Sequence, residues 1–171
     1  MIAVAATVIV AASAFLTWNV HWNRSMVSQD SDSKQQVQDA VSIWANAFRS
    51  KNAIALSDSY AGTVEKYFRR DNVSREQIQG YFQSAFSRIE YINAYQIDNI
   101  QVEMLPAVKE PDKKVISGRA AATFRKIWDT RQFDGKASSG EEIEKLTFAS
   151  SPEGWKIVRE EEVNVIRSSR H

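Results

Sequence analysis

Few side chains in this sequence could move a proton near neutral pH. The 171 residues include no cysteine and two histidines, His21 and His171, both outside the predicted folded middle of the chain. Thiolate nucleophiles, cysteine-based metal sites and imidazole bases are therefore excluded from that region. Acid–base chemistry would need a carboxyl or phenol whose pKa is shifted by its surroundings. The candidates of those types are Asp58, Tyr60, Tyr67, Tyr91, Tyr95 and Asp98.

Each of these candidates also has a structural explanation. Asp58 and Tyr60 lie near the end of a predicted helix, where Asp binds local backbone and Tyr packs on the core. Asp98 lies at a predicted β-bulge, where an Asx turn accounts for it, and Tyr95 is a good strand former. The sequence also shows no metal-ligand spacing, phosphate loop or nucleophile elbow. We therefore predict no catalytic residue, no metal and no cofactor, and keep Asp58 and Asp98 as polar candidates for a pocket.

Aromatic residues recur on the predicted inner faces of the helices and strands. They could line a ligand cavity, or they could fill the core at the spacing that packing demands. The sequence pattern is consistent with a ligand cavity and with a filled core. The candidates for lining a pocket are Trp44, Tyr60, Phe86, Tyr95, Phe124, Trp128 and Phe148.

The hydrophobic pattern predicts helices first and strands afterwards. Capping-box spacing at Ser33 and Gln36 predicts a helix over about 34–50, a short helix follows before Gly62, and a second capping box at Ser74 and Gln77 begins a third helix. A short strand, "TVEKYFRR", lies before this third helix.

From Tyr91 onward the period is two, which predicts a four-strand antiparallel meander with a bulge near Asp98. Trp155 follows a turn and shares a strand face with Ile157, so we predict that it is a core residue. The fold class is α+β, with about three helices packed on a strongly curved antiparallel sheet.

Charged residues are balanced, with 22 Lys and Arg against 21 Asp and Glu. A chain without a net field has little attraction for nucleic acid, so we predict no nucleic-acid partner. The runs Arg69-Arg70-Asp71 and 159–162 are typical of a solvated face with cross-strand pairs.

The first residues form a long apolar run, from Met1 to Trp18. Its length is near the lower limit for a membrane span, and a tryptophan at its end suits the membrane interface. We predict a transmembrane anchor over 1–22, a polar linker over 23–33 and a folded domain over 34–171. A cleaved signal peptide and a buried core helix are the alternatives.

The segments "IWANAFRSKN", "ALSDSYAG", "SREQIQGYFQSAF" and "GWKIVREE" occur in an order that resembles the nuclear-transport-factor-2-like, or SnoaL-like, superfamily. The resemblance covers about 35–167 and looks closest to the domain at the C-terminus of bacterial L,D-transpeptidases. It implies a cone-shaped fold with a pocket between sheet and helices. Where that subgroup carries F-x-Q-x-Y, this chain has Phe124, Lys126 and Trp128, which is a departure.

These observations favour a membrane-tethered, non-catalytic binding or assembly domain of a bacterial cell envelope. The resemblance implies that the domain lies outside the cytoplasm, whereas Arg24 and Lys34, which follow the apolar run, favour a cytoplasmic domain by the positive-inside rule. The expected partners are the membrane through residues 1–22, an unknown small molecule or envelope component, and a second copy of the chain. The alternatives are an isomerase or dehydratase that uses the cone pocket, and a structural dimerisation module.

Overall fold

The computed structural model describes residues 30–109 and 116–170. The predicted anchor 1–22 and residues 23–29 of the predicted linker lie outside the described residues. The contacts divide the chain into two units, Met1–Gln35 and Gln36–His171. Residues 30–35 of the first unit are helical, and the second unit holds the sheet. Among the described residues, no helix is both long enough and apolar enough to cross a membrane.

The described elements are three helices and six strands. The helices are α1 (30–49), α2 (Ala53–Ser57) and α3 (Arg75–Phe86). The strands are β1 (Thr63–Tyr67), β2 (Arg70–Ser74), β3 (Ile89–Lys109), β4 (Ile116–Gln132), β5 (Ala137–Ser151) and β6 (Gly154–Arg170).

Side-chain caps begin the two shorter helices. Asn52 caps α2 by accepting a hydrogen bond from the backbone N–H of Ala55 at 3.0 Å. The predicted capping box of α3 is confirmed, since Ser74 and Gln77 each accept the other's backbone N–H. Ser33, by contrast, does not cap α1, because the chain is already helical at Asp30.

The sheet has the order β2-β1-β6-β5-β4-β3. All neighbours are antiparallel except β1 and β6, which pair in parallel through Lys66↔Arg159 and Tyr67↔Glu160. The prediction of an antiparallel sheet was therefore wrong at this junction, and the sheet is mixed. Strand β2 was also missed, because "RDNVS" offers a single large apolar residue, Val73, and is held by its hairpin partner β1.

Bulges break the regular pairing of the long strands. The predicted bulge in β3 is confirmed by a register shift between Asp98 and Gln101, and Asn99 has φ 54°. Another of these bulges lies in β6, where Phe148 pairs with Ile157 but Thr147 pairs with Arg159. Val158 is thus an extra residue, and the strand faces change phase after it. The next residue to point inward is Glu160, which is buried.

The core lies between the helices and the inner face of the sheet. Its largest fully buried side chains include Trp44, Tyr60, Phe124 and Phe148. Trp155 differs from its prediction: it is half-buried, and its indole N–H donates to Gln36 Oε1 at 3.2 Å. The residue lies directly after the β5–β6 turn, where the sheet ends and a polar side chain of α1 is within reach.

Gly140 on β5 gives space to Trp128 on β4, its cross-strand partner. A Cβ built at Gly140 would overlap the indole ring. Gly140→Ala is therefore expected to lower the free energy of unfolding by about 1–3 kcal/mol, measured by urea denaturation. Gly80→Ala is the matched control, because nothing lies within 4 Å of its Cβ position in α3 and alanine there should stabilise the protein by about 0.5–1 kcal/mol. Equal stability of Gly140→Ala and wild type would show that Trp128 moves away freely.

Candidate functional site

The inner face of the sheet carries a row of charged residues in the midst of the aromatic core. We call this row the interior carboxyl chain; its members are Lys126, Glu142, Glu144 and Glu160, with Glu162, which is exposed, at its outer end. Lys126 Nζ donates to Glu142 Oε1 at 2.6 Å and to Glu144 Oε2. The side chain of Glu144 is fully buried, and Glu160 is 2% exposed. Strand pairing produces the arrangement, because Lys126 lies opposite Glu142.

Two aromatic side chains extend the interior carboxyl chain toward the helices. The indole Nε1–H of Trp44 donates to the hydroxyl oxygen of Tyr60 at 3.0 Å, and the Tyr60 hydroxyl donates to Glu160 Oε2. Burial, together with the charge of Glu160, raises the pKa of Tyr60 well above its usual value. Tyr60 is thus a permanent donor, and it fixes one oxygen of Glu160.

The surroundings of Glu160 favour its protonated form. Burial, the charge of Glu144 and a hydrogen bond between the two carboxyl groups raise the pKa of Glu160 well above its usual value. Among the described residues, no N–H or hydroxyl donates to Glu144 Oε1, which is buried. A proton on Glu160 supplies a donor beside this orphaned carboxylate. We call the two glutamates the acid–carboxylate pair, because a proton on Glu160 would donate to the Glu144 carboxylate.

Lys126 carries the compensating positive charge. Burial alone would lower the pKa of Lys126, but the charges around it, Glu144 foremost, outweigh this effect and raise the pKa well above its usual value. At the outer end of the interior carboxyl chain, burial raises the pKa of Glu162. The charge of Glu142 and a hydrogen bond with Glu142 raise it further. The row thus contains an internal cation, Lys126, among its carboxyl groups.

An open groove lies where the outer end of the interior carboxyl chain meets the β1–β2 hairpin. We call it the hairpin groove. Its volume is about 650 Å³, within the range of small-molecule sites. Its walls are Lys66, Tyr67, Phe68, Arg69, Arg70, Tyr81, Glu161 and Glu162.

Tyr67 separates the groove from the interior. Its ring lies 6.1 Å from that of Tyr60, centroid to centroid, and burial followed by the charges of Glu160 and Glu144 raises its pKa. Tyr67 therefore remains a neutral phenol that contributes to a groove wall and also packs against the core.

The hairpin turn places Phe68 in an unusual conformation. Its φ is 52°, in the left-handed region that a bulky side chain rarely adopts. Its backbone N–H donates to the carbonyl oxygen of Glu160 at 2.8 Å, and its ring meets Tyr67 edge to face at 5.0 Å. Glycine would fit this turn position with less strain. The chain thus keeps an aromatic ring at the groove despite the strained backbone.

The two predicted polar candidates lie away from the interior. Asp98 is on the outer face, where its Oδ2 accepts from Arg125 Nη1 at 2.9 Å. Asp58 is exposed after α2, 4.0 Å from Arg75. It lines a second groove of about 420 Å³, which also includes Phe148 and Trp155.

The predicted aromatic candidates lie together in or beside the core. Tyr95 stacks on Phe48 with centroids 4.1 Å apart, and Trp44 contacts both Tyr95 and Phe124. Phe86 packs against Phe48, and Trp128 lies against Gly140, with Lys126 Nζ 5.7 Å from its ring centroid. The structure therefore unites these rings, with Tyr60 and Phe148, in or against one core cluster.

The prediction of a solvated face over 159–162 was wrong for Glu160, which the bulge at Val158 turns inward. Sequence reasoning also missed Lys126, Glu142 and Glu144 as interior residues. Over the described ranges, no group of His, Cys, Asp and Glu side chains could hold a metal ion. The carboxyl groups instead surround Lys126.

No protein-family model matches the sequence, and no curated protein matches it. Solved structures do match. A nuclear-transport-factor-2-like superfamily protein from Salmonella enterica is 15% identical, covers 81% of this chain and 94% of its own, and has a TM-score of 0.63. A protein from Novosphingobium aromaticivorans, provisionally assigned as a scytalone dehydratase, is 9% identical over 85% and 91% of the two chains, with a TM-score of 0.68.

A hexachlorocyclohexane dehydrochlorinase of type 2 is 7% identical over 82% of this chain and 89% of its own, with a TM-score of 0.63. Identities this low establish the fold alone, and the closer resemblance to the L,D-transpeptidase domain stays a prediction. The element order, the curved sheet and these matches agree: the chain has the fold of the nuclear-transport-factor-2-like, or SnoaL-like, superfamily.

Proposed function

We propose that this domain binds a small molecule in the hairpin groove and leaves it chemically unchanged. The observation that carries the proposal is the contrast between the groove and the interior. The interior is occupied by fully buried rings, including Trp44, Tyr60 and Phe124, and by carboxyl groups that bind one another and Lys126. An open groove with polar and half-buried aromatic walls lies at the hairpin.

Catalysis in the interior would need a substrate within hydrogen-bond reach of an acid or base. Glu160 is the best-poised group by its chemistry, but its surface is 2% exposed and its carboxyl group already binds Tyr60 and Glu144. A substrate would have to displace these partners. The geometry therefore favours binding over chemical transformation.

An isomerase or dehydratase is the second candidate function. It is supported by the acid–carboxylate pair beside a phenol, and by Tyr67, which lies between that pair and the groove. Matched proteins described as a dehydrochlorinase and, provisionally, a dehydratase share the fold. This candidate requires Tyr67 to swing aside so that a substrate can reach Glu160.

The membrane tether belongs to the same proposal. The apolar run from Met1 to Trp18 supports an anchor over 1–22. The resemblance to the domain at the C-terminus of bacterial L,D-transpeptidases supports a domain outside the cytoplasm. The test is protease treatment of intact cells and of inverted membrane vesicles that contain the full chain. Digestion of the domain only in inverted vesicles would place it in the cytoplasm and overturn the proposed orientation.

The binding proposal is tested by mapping a panel of small organic fragments on the ¹⁵N-labelled full-length chain by NMR. Shifts are expected at 66–70, at Tyr81 and at 161–162, with no new product signals over time. Shifts centred on Tyr60, Lys126 and Glu144, or the appearance of a product, would support the enzyme instead. Absence of any cluster at the hairpin would overturn the proposal.

A further inference from the structure

We propose that the ligand of the hairpin groove is a small aromatic carboxylate, with its ring against Tyr67 and Phe68 and its anionic group at Arg69 and Lys66. This inference rests on the proposed function, because it names the class of molecule that the same groove would take. Three kinds of observation carry it: the charge of the walls, the freedom of two cations, and the aromatic surfaces beside them.

The charge of the groove is positive once internal pairing is considered. Three cationic residues, Lys66, Arg69 and Arg70, face two carboxyl groups. Glu161 is paired with Arg159 Nη2 at 3.3 Å, outside the set of wall residues. Burial and Glu142 raise the pKa of Glu162, while the charges of Lys126 and Arg69 lower it, so the three cations still outnumber the two carboxyl groups. An anion is therefore the charge type that the groove attracts.

Two of the three cations are available to a ligand. Arg70 is engaged, because its guanidinium lies 4.6 Å from the Tyr81 ring centroid and donates to the Tyr81 hydroxyl. Lys66 has only a loose partner, Asp71 at 3.9 Å. Arg69 is exposed and has no hydrogen bond or ion pair with a described residue, although its charge acts on Glu162 across the groove and lowers the pKa of that carboxyl group. An arginine in this state can bind a carboxylate through two parallel N–H···O contacts.

Aromatic surfaces complete the site. The rings of Tyr67 and Phe68 meet edge to face, and Tyr81 lies 6.0 Å from Tyr67, centroid to centroid. Rings of this kind favour a flat apolar body over a flexible or fully polar one. The strained backbone of Phe68, at φ 52°, holds one of these rings at the groove. A volume of about 650 Å³ accommodates a one- or two-ring acid.

The test compares two probes of nearly equal size, 2-naphthoate and 2-naphthamide, in NMR titrations of the full-length chain. The anion is expected to bind about tenfold or more tightly than the neutral amide, the effect of one charge-assisted contact. Arg69→Gln should abolish this preference and leave amide binding unchanged. Arg88→Gln is the matched control, since Arg88 is an exposed arginine beyond the groove.

The outcomes separate this inference from the proposed function. Equal affinity of both probes, with shifts at the hairpin, would overturn the carboxylate and leave the binding groove in place. An anion preference that survives Arg69→Gln would overturn the assigned contact. If neither naphthalene probe shifts residues 66–70, while other fragments do, the aromatic class is wrong; if no fragment does, the proposed function fails as well.

Discussion

Replacing Lys126 by methionine is expected to lower the free energy of unfolding by about 3–5 kcal/mol. Methionine fills a similar volume but lacks the ammonium group that donates to Glu142 at 2.6 Å and to Glu144. Glu144 is fully buried, so its carboxylate would lose its counter-charge without gaining water. The measurement is urea denaturation of the full-length chain at neutral pH, followed by tryptophan fluorescence.

Lys145→Met is the control for this substitution, because Lys145 follows Glu144 on β5 and points to the opposite face. Its effect should remain within about 0.5 kcal/mol. Replacing both partners, as Lys126→Met with Glu144→Leu, should recover much of the loss, since apolar pairs often replace buried ion pairs at little cost. A loss below about 1 kcal/mol in the single variant would mean that water reaches Glu144.

Substituting glutamine for Glu160 is expected to remove a decrease in the free energy of unfolding that wild type shows as the pH rises. Burial and the charge of Glu144 raise the pKa of Glu160, so the folded protein keeps a proton that the unfolded chain releases above about pH 4.3. The stabilisation is complete below that pH and is lost as the pH rises toward the raised folded pKa. Its slope is at most about 1.4 kcal/mol per pH unit.

Glutamine resembles the protonated acid and has no proton to lose in this range. Unfolding free energies measured from about pH 5 to pH 8 should therefore fall more steeply for wild type than for Glu160→Gln. Glu161→Gln, on the neighbouring residue whose side chain is 33% exposed, should keep the wild-type slope. Parallel curves for wild type and Glu160→Gln would show that Glu160 is ionised in the folded protein.

Local patterns allowed a large part of the fold to be predicted. The capping box at Ser74, the bulge after Asp98 and the period-two segments after Tyr91 all depend on neighbours within a few residues. Strand β2 and the parallel pairing of β1 with β6 depend on contacts between distant segments. No short pattern encodes them, so the prediction of a purely antiparallel sheet failed there.

The interior carboxyl chain was partly visible in the sequence. Lys126 shares a strand face with Phe124 and Trp128, and Glu144 shares a face with Leu146 and Phe148. Both charged residues are therefore in phase with the core. Their polarity argued against burial until strand register placed them beside each other. Glu160 could not be found in this way. Regular alternation from Ile157 predicts that Arg159 points inward, and only the bulge at Val158 places Glu160 on the inner face instead.

The parallel pairing of β1 with β6 also constrains the order in which the molecule assembles. Lys66 and Arg159 are 159 − 66 = 93 residues apart, and closing so long a loop costs entropy before any contact forms. Until that closure, Glu160 has no cover from Tyr60 and Trp44, which lie earlier in the chain. Exposed to water, it ionises as an ordinary glutamate. Pairing β1 with β6 therefore favours uptake of a proton by Glu160, and we expect this closing step to become harder as the solution becomes more alkaline.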